Sequence, residues 1–132
     1  MLKAIDIMTT SVISIKKDVP IYDALELMLD NKISGIPVVD DDMFLIGILS
    51  ERDVLRLFYE SQDGEGLTVD EFMTQPAVHF DEQESLLDIC DCLCDNYFRR
   101  VPVTSKGKLV GIVSRVDIIK DILKLRRENS AI

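Results

Sequence analysis

Met8-Thr9 returns as Met73-Thr74, and from there the chain repeats itself in order. At an offset of 65, Asp23 meets Asp88, Asp30-Asn31 meets Asp95-Asn96, and Pro37-Val38 meets Pro102-Val103. One residue is then lost in the second copy. At an offset of 64, Leu45 meets Leu109, Gly47-Ile48 meets Gly111-Ile112, Ser50 meets Ser114 and Asp53 meets Asp117. Identities that keep their order over a whole chain mark an internal duplication. They also restrict the fold, because half of 132 residues is too little to bury a comfortable core alone. The copies therefore have to be two small halves that support one another.

Both copies give the same coarse pattern. Each opens with a short apolar run, Val12-Ile13-Ser14-Ile15 or Ala77-Val78-His79-Phe80, which predicts a strand. A helix follows, with start signals at Asp18 and Pro20 in the first copy and at Ser85 in the second. Its apolar stripe is Ile21, Ala24, Leu25, Met28 and Leu29, repeated as Leu86, Ile89, Cys90, Leu93 and Cys94. Two strands come next, at 36–39 and 45–49 and again at 101–104 and 109–113, joined by turn residues. A second helix closes each copy from near Ser50 and Ser114. The predicted fold class is α/β: two β-α-β-β-α repeats packed with pseudo-two-fold symmetry. The first repeat is placed at 1–60, a polar glycine-containing linker at 61–68, the second repeat at 69–125 and a polar tail at 126–132.

Charge and composition exclude some partners. The net charge is −9, from 24 acidic and 15 basic residues, and that field opposes nucleic acid and anionic membranes. No apolar run approaches the roughly 18 residues that span a bilayer. The opening Met1-Leu2-Lys3-Ala4-Ile5-Asp6 lacks the pattern of a secretory leader, so a cytoplasmic setting is expected. The three cysteines, Cys90, Cys92 and Cys94, are unlike a disulfide framework and unlike zinc spacing, and they are expected to pack as small apolar residues. With His79 as the only histidine and no Walker-type loop, no catalytic set and no metal site are expected.

The order Met-Thr, then Ile-Pro-Val or Val-Pro-Val, then Gly-Ile-Leu-Ser-Glu-Arg-Asp or Gly-Ile-Val-Ser-Arg-Val-Asp resembles the CBS (cystathionine β-synthase) domain pair over about residues 4 to 125. The resemblance implies a free-standing tandem pair that regulates another protein and does not itself catalyse. It implies an adenosine-type ligand (AMP, ADP, ATP or S-adenosylmethionine), no required cofactor, and a homodimer. It also implies crossed sites, in which one repeat gives Ser and Asp while the other gives its first strand and the segment before x-Pro-Val. The stronger cleft would then pair Ile48, Ser50 and Asp53 with Ala77, Val78, Phe98, Arg99, Arg100 and Pro102. The weaker cleft would pair Ile112, Ser114 and Asp117 with Val12, Ile13, Ile33, Ser34, Gly35 and Pro37.

The residues themselves allow two compatible readings of Ser50-Glu51-Arg52-Asp53 and Ser114-Arg115-Val116-Asp117. One is a helix start, with Ser as N-cap and Asp three positions on as a capping-box variant. The other is a ligand rim, where helix N–H groups suit phosphate and a carboxylate accepts from the two ribose hydroxyls. Arg99-Arg100, standing where the first copy has Ser34-Gly35, can fork onto a phosphate or can be solvated surface charge. Arg115 is a further cation for the second cleft. Three functions are open on these residues: a ligand-binding regulatory module, a structural or partner-binding dimer without a ligand site, and an enzyme, which the residues disfavour. The apolar Val54, Leu55, Leu57, Phe58, Ile118, Ile119, Ile122 and Leu123 on the closing helices predict a dimer surface.

Overall fold

The computed structural model describes residues 1–59, 66–96 and 98–130. Residues 60–65, which take in most of the linker expected at 61–68, lie outside them, as do Tyr97 and the last two residues. In chain order the elements are α1 (Ala4–Ile7), β1 (Ile15–Lys16), α2 (Ile21–Asn31), β2 (Gly35–Val39), β3 (Leu45–Ser50), α3 (Glu51–Val54), β4 (Phe80–Asp81), α4 (Leu86–Asp95), β5 (Arg100–Ser105), β6 (Lys108–Ser114) and α5 (Arg115–Ser130). Short 3-10 turns lie at Leu55–Phe58 and Val69–Glu71.

The chain packs as two units, and their limits are not those of the sequence repeats. One unit is Ile13–Ala77; the other joins Met1–Val12 to the chain from Val78 onward. The reason is apolar. Val69 and Phe72 are buried in the core of the first unit, with Met73 against it, alongside Ile21, Ala24, Met28, Ile36, Val38 and Leu49. In the second unit Ala4 is fully buried and Leu2, Ile7 and Met8 pack beside Leu86, Ile89, Leu93, Val101, Val103 and Val113. Each core is finished by a segment that, in sequence, opens the other repeat.

Each unit holds a three-stranded sheet, ordered β1-β2-β3 in one and β4-β5-β6 in the other. The first two strands run parallel and the last two antiparallel, so α2 and α4 are crossover helices. The central strands are buried almost throughout, as their continuous apolar sequence predicts. Proline is rare in a central strand because it lacks the ladder N–H. Here β1 pairs only with Val38 and Val39, so Pro37 interrupts no rung between them; Pro102 stands in the same relation to β4.

Helix starts follow the sequence signals. Pro20 caps α2, and the Ser85 hydroxyl accepts from Leu87 N at 3.2 Å to open α4. α2 stops at Lys32, which adopts φ 53° and donates its N–H to the Met28 and Leu29 carbonyls.

Four expectations need correction. The opening strands are shorter and later than their apolar runs, because β2 and β5 each offer only two residues to a parallel partner; Val12–Ser14 and Ala77–His79 carry no strand. The last member of each helix stripe is exposed, Leu29 to 79%, with Cys94 likewise outside. At about 100° per residue, the eighth step has turned about 80° past the first, off the buried face. The closing helix of the first repeat is a single α turn followed by a 3-10 turn, whereas α5 continues through Ser130, taking in residues expected as tail. Finally, the apolar residues of the closing helices divide. Val54, Leu57 and Ile118 face the cores, while Leu55, Phe58, Ile119, Ile122 and Leu123 are exposed.

The burial pattern sets a contrast that chemical denaturation can measure. Ile89→Ala, at a fully buried position, should cost about 2–5 kcal/mol. Leu29→Lys and Cys94→Ser, one at the same stripe position of each helix, should each stay within about 0.5 kcal/mol.

Candidate ligand site

Each Ser-x-x-Asp stands where a strand turns into a helix. Ser50 ends β3 and Asp53 lies in the first turn of α3; Ser114 ends β6 and Asp117 lies in the first turn of α5. The capping box is formed. Asp53 Oδ2 accepts from Ser50 N and from Ser50 Oγ, both at 2.9 Å, while Asp53 N donates back to Ser50 Oγ at 3.3 Å. In the second unit Asp117 Oδ2 accepts from Ser114 N at 2.9 Å and Asp117 N donates to Ser114 Oγ at 3.1 Å. Both carboxylates are half-buried. An ionised carboxylate has about four lone-pair sites, so capping leaves acceptor capacity on each.

A second partner reaches each aspartate from the Met-Thr motif. Thr74 Oγ1 donates to Asp53 Oδ1 at 2.9 Å, and Thr9 Oγ1 donates to Asp117 Oδ1 at 3.3 Å. Neither threonine was expected at the site. Both are held by paired backbone bonds: Thr74 with Ile48 at 3.0 and 2.9 Å, Thr9 with Ile112 at 2.9 Å each way. The motif lies flat against a glycine. A Cβ on Gly47 would stand 2.8 Å from the Thr74 carbonyl oxygen, and one on Gly111 would stand 3.0 Å from that of Thr9 and 2.6 Å from Met8 Sδ. The repeated Gly-Ile therefore exists to let Met-Thr lie down on the free edge of β3 or β6.

The expected contact residues fall as follows. Gly35 pairs with Ser50 and Pro37 with Ile48, while Ser34 O accepts from Glu51 N at 2.9 Å. In the other unit Arg100 pairs with Ser114 and Pro102 with Ile112, and Arg99 O accepts from Arg115 N at 3.0 Å. The segment before x-Pro-Val is thus a direct strand neighbour of the serine of its own repeat. Ile33 packs against the first core. Ala77 belongs with Asp53 in one unit, whereas Val12, Val78 and Phe98 belong with Asp117 in the other. Ile13 lies in the unit of Asp53 and is partly exposed. Arg100 Nε is buried, with no hydrogen-bond partner among the described residues. Arg115, read from sequence as a further cation for the ligand, is committed elsewhere: its guanidinium donates to the Leu93 and Asn96 carbonyls at 3.1 and 3.2 Å, at the C-terminal end of α4.

The family model described as "CBS domain" matches residues 4–60 and again 69–124. The chain belongs to the CBS-domain family. Among curated proteins it is 36% identical over 115 residues to the uncharacterized protein MJ1225 of Methanocaldococcus jannaschii, across 87% of this chain and 41% of that one. It is 31% identical over 128 residues to the CBS domain-containing protein YhcV of Bacillus subtilis, across 96% of this chain and 90% of that one. The first curated relatives are longer: this chain spans from about two-fifths to three-fifths of their length. Among solved structures, CBSX2 of Arabidopsis thaliana in complex with AMP matches with a TM-score of 0.85 at 32% identity, covering 96% of this chain and 99% of that one. The fold is a tandem CBS pair.

The cysteines of the second CBS repeat are half-buried at Cys90 and Cys92, which pack against the core, and exposed at Cys94. Burial pushes the Cys90 thiol above its usual range, with Cys94 and Asp91 adding to it; burial does the same at Cys92, partly offset by the Asn96 hydrogen bond. Thiols held protonated are poor nucleophiles. Among the described residues no group of three potential ligands is placed to hold a metal ion, and no helix is long and apolar enough to cross a membrane.

The glycine seats predict unequal costs. Gly47→Ala drives a Cβ into backbone, whereas the closest contact at Gly111 is the flexible Met8 side chain. Overpacking of this kind costs about 1–3 kcal/mol. Gly47→Ala should lower the melting temperature more than Gly111→Ala.

Proposed function

We propose that this CBS pair is a non-catalytic regulatory module that binds an adenosine-type ligand: AMP, ADP, ATP or S-adenosylmethionine. The observation that carries the reading is the pair of half-buried aspartates, Asp53 and Asp117, each fixed at a strand-to-helix junction with acceptor capacity to spare. The solved relative CBSX2, similar over nearly its whole length, is described in complex with AMP. In the proposal the two aspartates accept from ribose hydroxyls, Ser50 and Ser114 face phosphate, and Arg99 and Arg100 neutralise it. The crossed pairing implied by the family resemblance gives these arginines to the ligand of Asp53. Their ladder position beside Ser114 supports a second assignment, to the ligand of Asp117.

A homodimer is part of the proposal. Leu55 and Phe58 after α3, and Ile119 and Ile122 on α5, expose apolar surface, Phe58 to 91%. Large apolar side chains exposed in this way are characteristic of interaction sites. A cytoplasmic setting is proposed on the three unbridged cysteines, which suit a reducing compartment.

Thermal melts with AMP, ADP, ATP, S-adenosylmethionine and NADH test the ligand reading. A ligand at 100 times its dissociation constant should add about 2.7 kcal/mol of stability. Flat melting temperatures across the set would leave a structural or partner-binding dimer. Arg99→Ala/Arg100→Ala should weaken AMP more than adenosine. Repeating that variant with Asp53→Asn or Asp117→Asn identifies the aspartate that shares its ligand, since only the shared pair is non-additive. Sedimentation at micromolar concentration should give a dimer, and Phe58→Glu/Ile122→Glu should give a monomer.

A further inference from the structure

The Met-Thr pair marks each repeat in the sequence, yet the ligand reading gives it no task. We infer that Thr74 and Thr9 are positioning residues for the ribose-binding aspartates, each serving the aspartate of the opposite sequence repeat. This rests on the ribose reading of Asp53 and Asp117.

The capping box alone fixes one side of the carboxylate. Ser50 N and Oγ both hold Asp53 Oδ2, so Oδ1 is the oxygen that can swing as the carboxyl turns about its last bond. Thr74 Oγ1 takes that oxygen at 2.9 Å. The donor is not on a loose loop: two backbone bonds fix Thr74 to Ile48, in the strand that delivers Ser50. Arg56 adds a brace, with Nη2 donating to Glu71 O at 2.8 Å and Nε to Asp53 O at 3.4 Å, while its guanidinium stacks 4.8 Å from the Phe72 ring centre. The 69–74 segment is therefore tied to β3 by its main chain and to the first turn of α3 by the brace and the hydroxyl.

The second unit repeats the construction with different surroundings. Thr9 pairs with Ile112, its carbonyl lies over Gly111, and its hydroxyl reaches Asp117 Oδ1. Packing alone would be satisfied by Val, which has the shape of Thr without the hydroxyl. The hydroxyl is needed only if the carboxylate must be held in one orientation, as an acceptor for a ribose hydroxyl requires. A pre-set acceptor loses less freedom when the ligand arrives.

The test is equilibrium binding of AMP and of 2′,3′-dideoxy-AMP in an Asp117→Asn background, so that only Asp53 reports. Thr74→Val should weaken AMP roughly tenfold, the scale of a hydrogen bond to a charged group, and leave the dideoxy nucleotide within about twofold. Thr74→Ser should restore AMP binding. Adding Asp53→Asn should abolish the effect of Thr74→Val. Equal weakening of both nucleotides, or no weakening of either, would overturn the inference. Should Val not be tolerated, Thr74→Ala removes the same hydroxyl. If neither nucleotide binds the parent protein, the ribose reading fails on its own, and ligand-free melts decide what Thr74 does. Thr74→Val and Asp53→Asn should then be non-additive in melting temperature, whereas strict additivity would overturn the pairing.

Discussion

The antiparallel rung between Thr74 and Ile48, with its counterpart between Thr9 and Ile112, is the contact on which the remaining organisation depends. It closes the outer edge of β3 and β6, which would otherwise present unpaired N–H and C=O groups. It brings Val69, Phe72 and Met73 to one core and Ala4, Ile7 and Met8 to the other. It also delivers a hydroxyl to the carboxylate at the start of the following helix. One short pairing thus protects an edge, completes a core and orients a polar group. Gly47 and Gly111 permit it, because any side chain there would displace the incoming main chain.

Most of the secondary structure was legible from periodicity and start signals. Ser85 as a cap, Pro20 before α2 and the continuous apolar runs of β2 and β5 all read directly. The helix stripes were legible to their seventh step and misleading at the eighth, where Leu29 and Cys94 turn outward. The opening strands failed for a different reason. Val12-Ile13-Ser14 has strand composition, but pairing depends on a partner, and β2 extends only two rungs to meet it. Composition reports what a segment tolerates; the neighbour decides what it does.

The candidate site was legible in part. Ser50, Asp53, Ser114 and Asp117 announced themselves by repetition, and the capping-box reading of them is correct at atomic level. Thr9 and Thr74 are equally repeated but read only as landmarks, since a Met-Thr dipeptide carries no chemistry until it is seen against a carboxylate. The available signal was the glycine: a Gly kept at both Gly47 and Gly111, inside otherwise bulky strands, points to close approach of another backbone. Arg115 erred in the other direction. Its charge suggested a ligand contact, yet the end of α4 has unpaired carbonyls nearer to hand.

The interleaved make-up of the two units bears on how the chain can assemble during synthesis. Residues 13–77 are contiguous, so that unit can form as soon as its own residues have left the ribosome. Met1–Val12 leaves before that unit, yet its partner β6 leaves after it. Its apolar Leu2, Ile7 and Met8 must wait, unsheltered, until β6 has emerged. Closing so long a loop adds little entropy beyond a shorter one, so the delay is a matter of time and exposure more than of final stability. The vulnerable interval for Met1–Val12 therefore runs from the emergence of that segment to the emergence of β6.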